Sequence, residues 1–235
     1  MVTTTGAVCT APRPQIPIFP AMKTTPSVYV IDDDAAVCES LIALIQQRGV
    51  TAESFGSAEA FLQSHDALET GCLVTDMRMP GMSGLELLAE LKARNSTLPV
   101  ILLTAYGDIP LAVKAMQAGA ETFLEKPCSD AELWHSIESA LHRDQAQQER
   151  QRVQADIKSR FSALSPEEAE VYRRLYFGQQ NKQICKAMDI GLRTVELRRS
   201  NLSKKMQAQT LQELVRMAIS ASLFAEQDRP QDTLP

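Results

Sequence analysis

Four stretches, VYVIDDD (28–34), CLVTDMRMPGMSG (72–84), VILLTAYGD (100–108) and FLEKP (123–127), decide the fold. The first three open on near-continuous apolar, β-branched runs, the mark of strands buried on both faces of a parallel sheet. Weaker runs at VTAESF (50–55) and ETFLE (121–125) complete a set of five. Segments with helical period lie between them, at 35–48, 57–65, 84–94, 110–118 and from 129 onward. Five strand–helix repeats within ~120 residues imply an α/β domain built on an open, doubly wound five-stranded parallel sheet.

Working outward, HRDQAQQERQRVQADIKSR (142–160) is polar and has the composition of a helical linker, placed at 144–160. From 161 to 224 the period is helical only, broken at Leu164-Ser165-Pro166, Gly178, Gly191 and 207–209. Four short helices make a small all-α domain. Residues 1–26 scatter Pro12, Pro14, Pro17, Pro20 and Pro26 among threonines and are expected to be a disordered extension. Met22 stands just ahead of the first strand, so residues 1–21 are expected to be dispensable. Residues 225–235 are expected to be a disordered tail. The folded segments are then 27–143 and 161–224.

At 235 residues the chain has room for two ordinary domains, and 44% hydrophobic with 23% charged residues suits a globular protein. No run approaches ~18 apolar residues, which excludes a membrane span. The N-terminus lacks a basic start followed by an apolar core, so no secretory signal is expected and the location is cytoplasmic. Cys9, Cys38, Cys72, Cys128 and Cys185 show neither CxxC nor Cys/His spacing, which argues against a disulfide framework or a zinc site. Residues 1–145 hold 9 Lys/Arg against 18 Asp/Glu, whereas 146–235 hold 15 against 11. Opposite signs suggest two modules with different partners, the basic one a candidate for a polyanion.

Functional residues of an open parallel sheet sit just past the carboxyl ends of its strands. Here those ends deliver Asp32, Asp33 and Asp34, then Asp76, Thr104 and Lys126 to one rim. Clustered carboxylates repel one another unless a cation neutralises them, and oxygen-only ligands favour Mg²⁺. A carboxylate can act as a nucleophile and form an aspartyl phosphate. Phosphoryl transfer needs little beyond positioning and charge neutralisation, which a metal, a lysine and a hydroxyl supply. Taken singly, Asp34 is better explained as a helix N-cap.

VIDDD, VTDMRMPGMSG, LLTAYGD and FLEKP resemble the receiver domain of bacterial two-component response regulators, over about 27–143. The resemblance implies a flavodoxin-like sheet in which Asp76 takes phosphate from a sensor histidine kinase. It implies that Asp32, Asp33 and Asp76 hold Mg²⁺ with the backbone carbonyl of Arg78. Lys126 would pair with the phosphoryl group, Thr104 would be the switch hydroxyl, and Phe123 would be the switch aromatic. The Lys126–Pro127 bond would be cis.

In the basic half, residues 181–206 break near Asp189–Gly191 into two helical pieces. The second puts Val195, Leu202 and Met206 inward, with Leu197 flanking, and most other positions are basic. A short helix, a turn with Gly and a basic amphipathic helix follow helix-turn-helix grammar. LSPEEAEV, GQQNKQI, IGLRTVE and KKMQAQTLQELVRMA resemble the LuxR-type helix-turn-helix that ends FixJ/NarL-class response regulators, over about 161–222. By that resemblance Lys182, Arg193, Thr194, Glu196, Arg198, Arg199 and Lys205 are the DNA-facing residues. Glu168, Val171, Gly178, Asn181, Ile184 and Val195 also stand at family positions. Two departures stand out. Gly191 replaces the usual Ser and deprives the recognition helix of a side-chain cap, at a cost of a few tenths of a kcal/mol. Arg198 replaces a frequent His and alters what is read there.

Together these features imply a transcriptional regulator activated by phosphorylation, not an enzyme beyond its own phosphorylation and dephosphorylation. Phosphorylation of Asp76 would draw Thr104 and Phe123 inward and remodel the surface over about 109–125, which would then form a homodimer. The expected partners are a sensor histidine kinase, double-stranded promoter DNA and a second copy of the chain, with RNA polymerase a further candidate. No membrane is involved. The competing readings are an aspartyl-phosphate-forming phosphatase, which usually carries its nucleophile on the first strand, and a protein-binding adaptor.

Overall fold

The structure, a computed structural model, describes residues 27–64, 70–105 and 109–230. The disorder expected for 1–26 and for 231–235 lies outside these residues. The chain divides into two compact units, 1–145 and 146–235.

In the first unit strands and helices alternate: β1 (Ser27–Ile31), α1 (Ala35–Gln47), β2 (Thr51–Phe55), α2 (Ala58–Ser64), β3 (Gly71–Asp76), α3 (Gly84–Ala93), β4 (Val100–Thr104), α4 (Ile109–Gln117), β5 (Thr122–Glu125) and the start of α5 (Asp130–Ser162). The strands pair in parallel in the order β2-β1-β3-β4-β5. This is the flavodoxin-like doubly wound order. Its reversal of direction beside β1 and β3 opens a crevice at their carboxyl ends.

Side chains alternate across the sheet. Tyr29, Ile31, Leu73, Val100 and Leu102 pack with Ala58 and Phe61 of α2, Leu87, Leu88 and Leu91 of α3, and Ala115 of α4. Val28, Val30, Val74, Ile101 and Leu103 pack with Cys38 and Ile45 of α1 and with Leu133, Trp134, Ile137 and Leu141 of α5. β3 and β4 are buried along their whole length, which is why their sequences are unbroken apolar runs. β2 lies at the sheet edge, and its mixed TAESF is mostly exposed.

The second unit contains the remainder of α5, then α6 (Pro166–Tyr176), α7 (Asn181–Met188), α8 (Leu192–Met206) and α9 (Leu211–Ser220). Their core gathers Ile157, Val171, Tyr172, Leu175, Ile184, Val195, Leu202, Met206, Leu214 and Ala218. Burial pushes up the pKa of the Tyr172 hydroxyl, which donates to the Leu214 carbonyl at 2.6 Å. Ser165 and Glu168 form a reciprocal capping box on α6 with Pro166 in its first turn. α8 starts at Gly191 without a side-chain cap bond.

Two expectations from composition need revision. The stretch 144–160 is helical, but its residues belong to the two units. Asp144 is buried and accepts from the Gly71 N–H at 2.9 Å, while Ile157 sits in the helical core. The tail does not lose order at 225. A 3₁₀ turn spans Glu226–Asp228, Asp228 Oδ2 accepts from the Ala225 N–H at 2.7 Å, and Arg173 donates to the Asp228 carbonyl. The polar composition hid both, because the partners lie far away in sequence.

Candidate functional site

Buried parallel strands bring their terminal polar residues to one rim. Asp32 follows β1, Asp76 and Thr104 end β3 and β4, and Lys126 follows β5. All but the half-buried Lys126 are buried, Asp76 being 9% and Thr104 1% exposed. Lys126 Nζ donates to Asp32 Oδ2 at 2.7 Å and to Asp76 Oδ1 at 2.6 Å. The other Asp76 oxygen accepts from the Arg78 N–H at 2.6 Å, and Asp32 Oδ1 accepts from the Asp34 N–H at 3.0 Å. Burial pulls the Lys126 ammonium pKa down, but hydrogen bonds and charge from Asp32 and Asp76 outweigh it and leave it above its ordinary value. A cation thus already bridges the two carboxylates and offsets part of the charge through which they would repel.

Backbone contacts fix this arrangement. The Lys126 N–H donates to the Thr104 carbonyl at 2.6 Å, and the Lys126–Pro127 peptide is cis. A Cβ at position 84 would lie 2.3 Å from the Asp76 carbonyl oxygen and 3.0 Å from Leu102 Cδ2. Only glycine lets α3 begin so close to Asp76. Glu59 of α2 had no signal in the local sequence, yet its carboxylate accepts from the Met82 N–H at 2.8 Å and braces the β3–α3 loop. Its own backbone N–H and that of Met82 hold its carboxyl below the usual carboxylate range. Phe123 is half-buried against the sheet core. Asp34 caps α1 by accepting from the Ala36 N–H at 2.9 Å.

The triple-carboxylate arrangement is not formed. Asp33 is exposed on the rim, and among the described residues no three acidic, His or Cys side chains converge as a metal cluster. Asp32 and Asp76 carry two negative charges against the single positive charge of Lys126, so the site still favours a further cation. Mg²⁺ does not require three: it keeps several waters and is commonly held through one or two carboxylates plus phosphate oxygen. The oxygen donors of Asp32 and Asp76, with Asp33 beside them, fit such an ion.

On α8 the expected inward residues Val195, Leu202 and Met206 are fully buried. The basic residues divide. Arg199 donates to Asn181 Oδ1 on α7. Lys205 donates to Glu168 Oε2 at 2.6 Å and to the Ala163 carbonyl at 3.3 Å, and this lysine holds the Glu168 carboxyl below its usual range. Arg198 is half-buried, and its charge acts on Glu167, whose carboxyl is lowered first by the Ser165 hydroxyl. Arg193, Thr194 and Glu196 of α8 and Lys182 of α7 are exposed.

Comparison with known proteins follows the same division. Residues 28–138 match the family model of the response regulator receiver domain, and residues 162–218 match that of bacterial regulatory proteins of the luxR family. Fold and site define a two-component response regulator with a DNA-binding output domain, not a member of a catalytic enzyme family. The chain is 45% identical over 203 residues to the transcriptional regulatory protein FixJ of Bradyrhizobium diazoefficiens, covering 86% of this chain and 99% of that protein. The solved structure of the response regulator StyR is 38% identical, with a TM-score of 0.76, and the match covers 83% of this chain and 99% of that one. Full-length FixJ from B. japonicum is 44% identical, with a TM-score of 0.53 and coverage of 86% and 100%. The chain belongs to the FixJ family of response regulators. Among the described residues no helix is long and apolar enough to cross a membrane.

Proposed function

We propose that Asp76 is the phosphoacceptor, and that its phosphorylation by a sensor histidine kinase in the cytoplasm turns on DNA binding by the second unit. The observation that carries this is the doubly held Asp76 carboxylate, fixed by Lys126 and by the Arg78 N–H at the crevice of the sheet. One Asp76 oxygen would attack phosphorus in the phosphohistidine, forming an O–P bond as the N–P bond breaks, and the leaving imidazole takes up a proton. Lys126 offsets the charge on the phosphoryl oxygens. Asp32, Asp33, Asp76 and the Arg78 carbonyl are the residues that would hold Mg²⁺, which supplies further charge neutralisation when bound. The receiver acts on its own phosphoryl group and on no other substrate.

Thr104 and Phe123 carry the signal outward in this reading. Its output surface is α4, where Ile109, Val113 and Met116 stand exposed at intervals of four and three residues, one apolar stripe of a helix. Such a stripe favours a second copy of the chain as its cover and supports phosphorylation-dependent homodimerisation. A dimer presents two α8 helices to a two-fold DNA site, and RNA polymerase is a further partner of the bound dimer.

The test is covalent labelling. With acetyl phosphate and Mg²⁺, the wild-type chain should gain one phosphoryl group, and chelation of Mg²⁺ or Asp76→Asn should abolish the gain. Undiminished labelling of Asp76→Asn would remove it as acceptor.

A further inference from the structure

The side-chain bonds of α8 show which of its faces is left for a ligand. Val195, Leu202 and Met206 are buried, Arg199 bonds to α7, and Lys205 bonds to α6. At ~100° per residue, positions 193, 197, 200 and 204 lie on the opposite side, following one another at intervals of four, three and four. They are Arg193, Leu197, Ser200 and Lys204, and all are exposed. Among the described residues, neither Arg193 nor Lys204 enters an ion pair or side-chain hydrogen bond. Between these two cations sits Leu197, 61% exposed.

An isolated exposed leucine is ordinary on a protein surface. This one occupies the middle of the outward stripe of α8, whereas the helix's other exposed leucine, Leu192, stands at its first position and off that stripe. Cations at both ends complement a polyanion, and an apolar group between them matches the one apolar feature on a base edge in the major groove, the C5-methyl of thymine.

We infer that Leu197 is a specificity-determining residue that packs on a thymine methyl group in the major groove, while Arg193 and Lys204 engage the DNA on either side of it. This rests on the DNA-binding reading of the second unit and deepens it. Arg199 and Lys205 are then positioning residues. They hold α8 against α7 and α6, and their substitution disturbs the helix rather than one base contact.

The experiment uses the full-length chain with acetyl phosphate and Mg²⁺. A preferred duplex is enriched from a random pool, and each thymine in it is replaced in turn by deoxyuridine, which lacks only the methyl group. Wild type should bind about fourfold more weakly at one or two such positions, the equivalent of ~0.8 kcal/mol per buried methyl. Leu197→Ala should bind the thymine duplex that much more weakly and show no further loss with deoxyuridine. Its exposure leaves the core intact, so its melting temperature and its salt dependence of binding should match wild type. Deoxyuridine-insensitive binding by wild type, or equal sensitivity in Leu197→Ala, would overturn the methyl contact and leave DNA binding standing. Absence of salt-sensitive binding to any duplex would overturn the DNA-binding reading and this inference with it.

Discussion

Gly84→Ala tests the close approach of α3 to the phosphoacceptor. Where space allows, Gly→Ala stabilises a protein by ~0.4–1 kcal/mol through the unfolded chain. Here the added Cβ would meet the Asp76 carbonyl oxygen at 2.3 Å and Leu102 Cδ2 at 3.0 Å. An ordinary contact lies near 3.5 Å, so α3 or the end of β3 must give by about 1 Å. Backbone is the obstacle on one side and a fully buried leucine on the other. Overpacking of this kind costs ~1–3 kcal/mol, leaving a net loss of about 1–2 kcal/mol after the unfolded-state gain. For a domain of this size that lowers the receiver transition by roughly 4–8 °C, read by scanning calorimetry. Because the displaced atom belongs to Asp76, labelling by acetyl phosphate should slow as well. An unchanged or raised melting temperature with normal labelling would refute the argument.

Gly191→Ser should act in the opposite direction. Nothing lies within 4 Å of a Cβ there, and the added hydroxyl can cap α8, for a gain of a few tenths of a kcal/mol in the helical unit. Thr104→Ala should still accept phosphate but dimerise poorly by light scattering; wild-type dimerisation would sever the proposed link between phosphoryl group and α4. The Glu168 carboxyl, depressed first by Lys205, gives a pH test. Its stabilisation is complete above the ordinary value of 4.5 and fades as pH falls through the lower folded value. Lys205→Ala should therefore flatten the acid limb of the second unit's melting profile while costing about 1 kcal/mol at neutral pH, since Lys205 is half-exposed but the Glu168 carboxylate it leaves is buried. An unchanged acid limb would remove that pair from the account.

The sheet was legible in the sequence because each buried strand is an apolar run that stops at a polar residue. The strand ends alone assign Asp32, Asp76, Thr104 and Lys126 to one rim. What stayed hidden depends on packing between elements distant in sequence. Nothing near Glu59 announces that it braces the loop at Met82, because that contact needs α2 laid beside the β3–α3 turn. Helical period assigned Val195, Leu202 and Met206 to the core. It could not tell that Arg199 and Lys205 spend their charge on α7 and α6, since those partners lie 18 and 37 residues away. Leu197, flanking in the sequence pattern, became informative only once its neighbours on the wheel had been assigned partners.

If chemistry at Asp76 controls DNA binding by the second unit, a duplex-binding titration of the full-length chain will read that control. Wild type and Asp76→Asn are each titrated onto the enriched duplex with and without acetyl phosphate in the presence of Mg²⁺. Acetyl phosphate should tighten binding and raise the stoichiometry to two chains per site for wild type alone. Equal tightening in Asp76→Asn, or none in a wild-type chain shown to be phosphorylated, would contradict it.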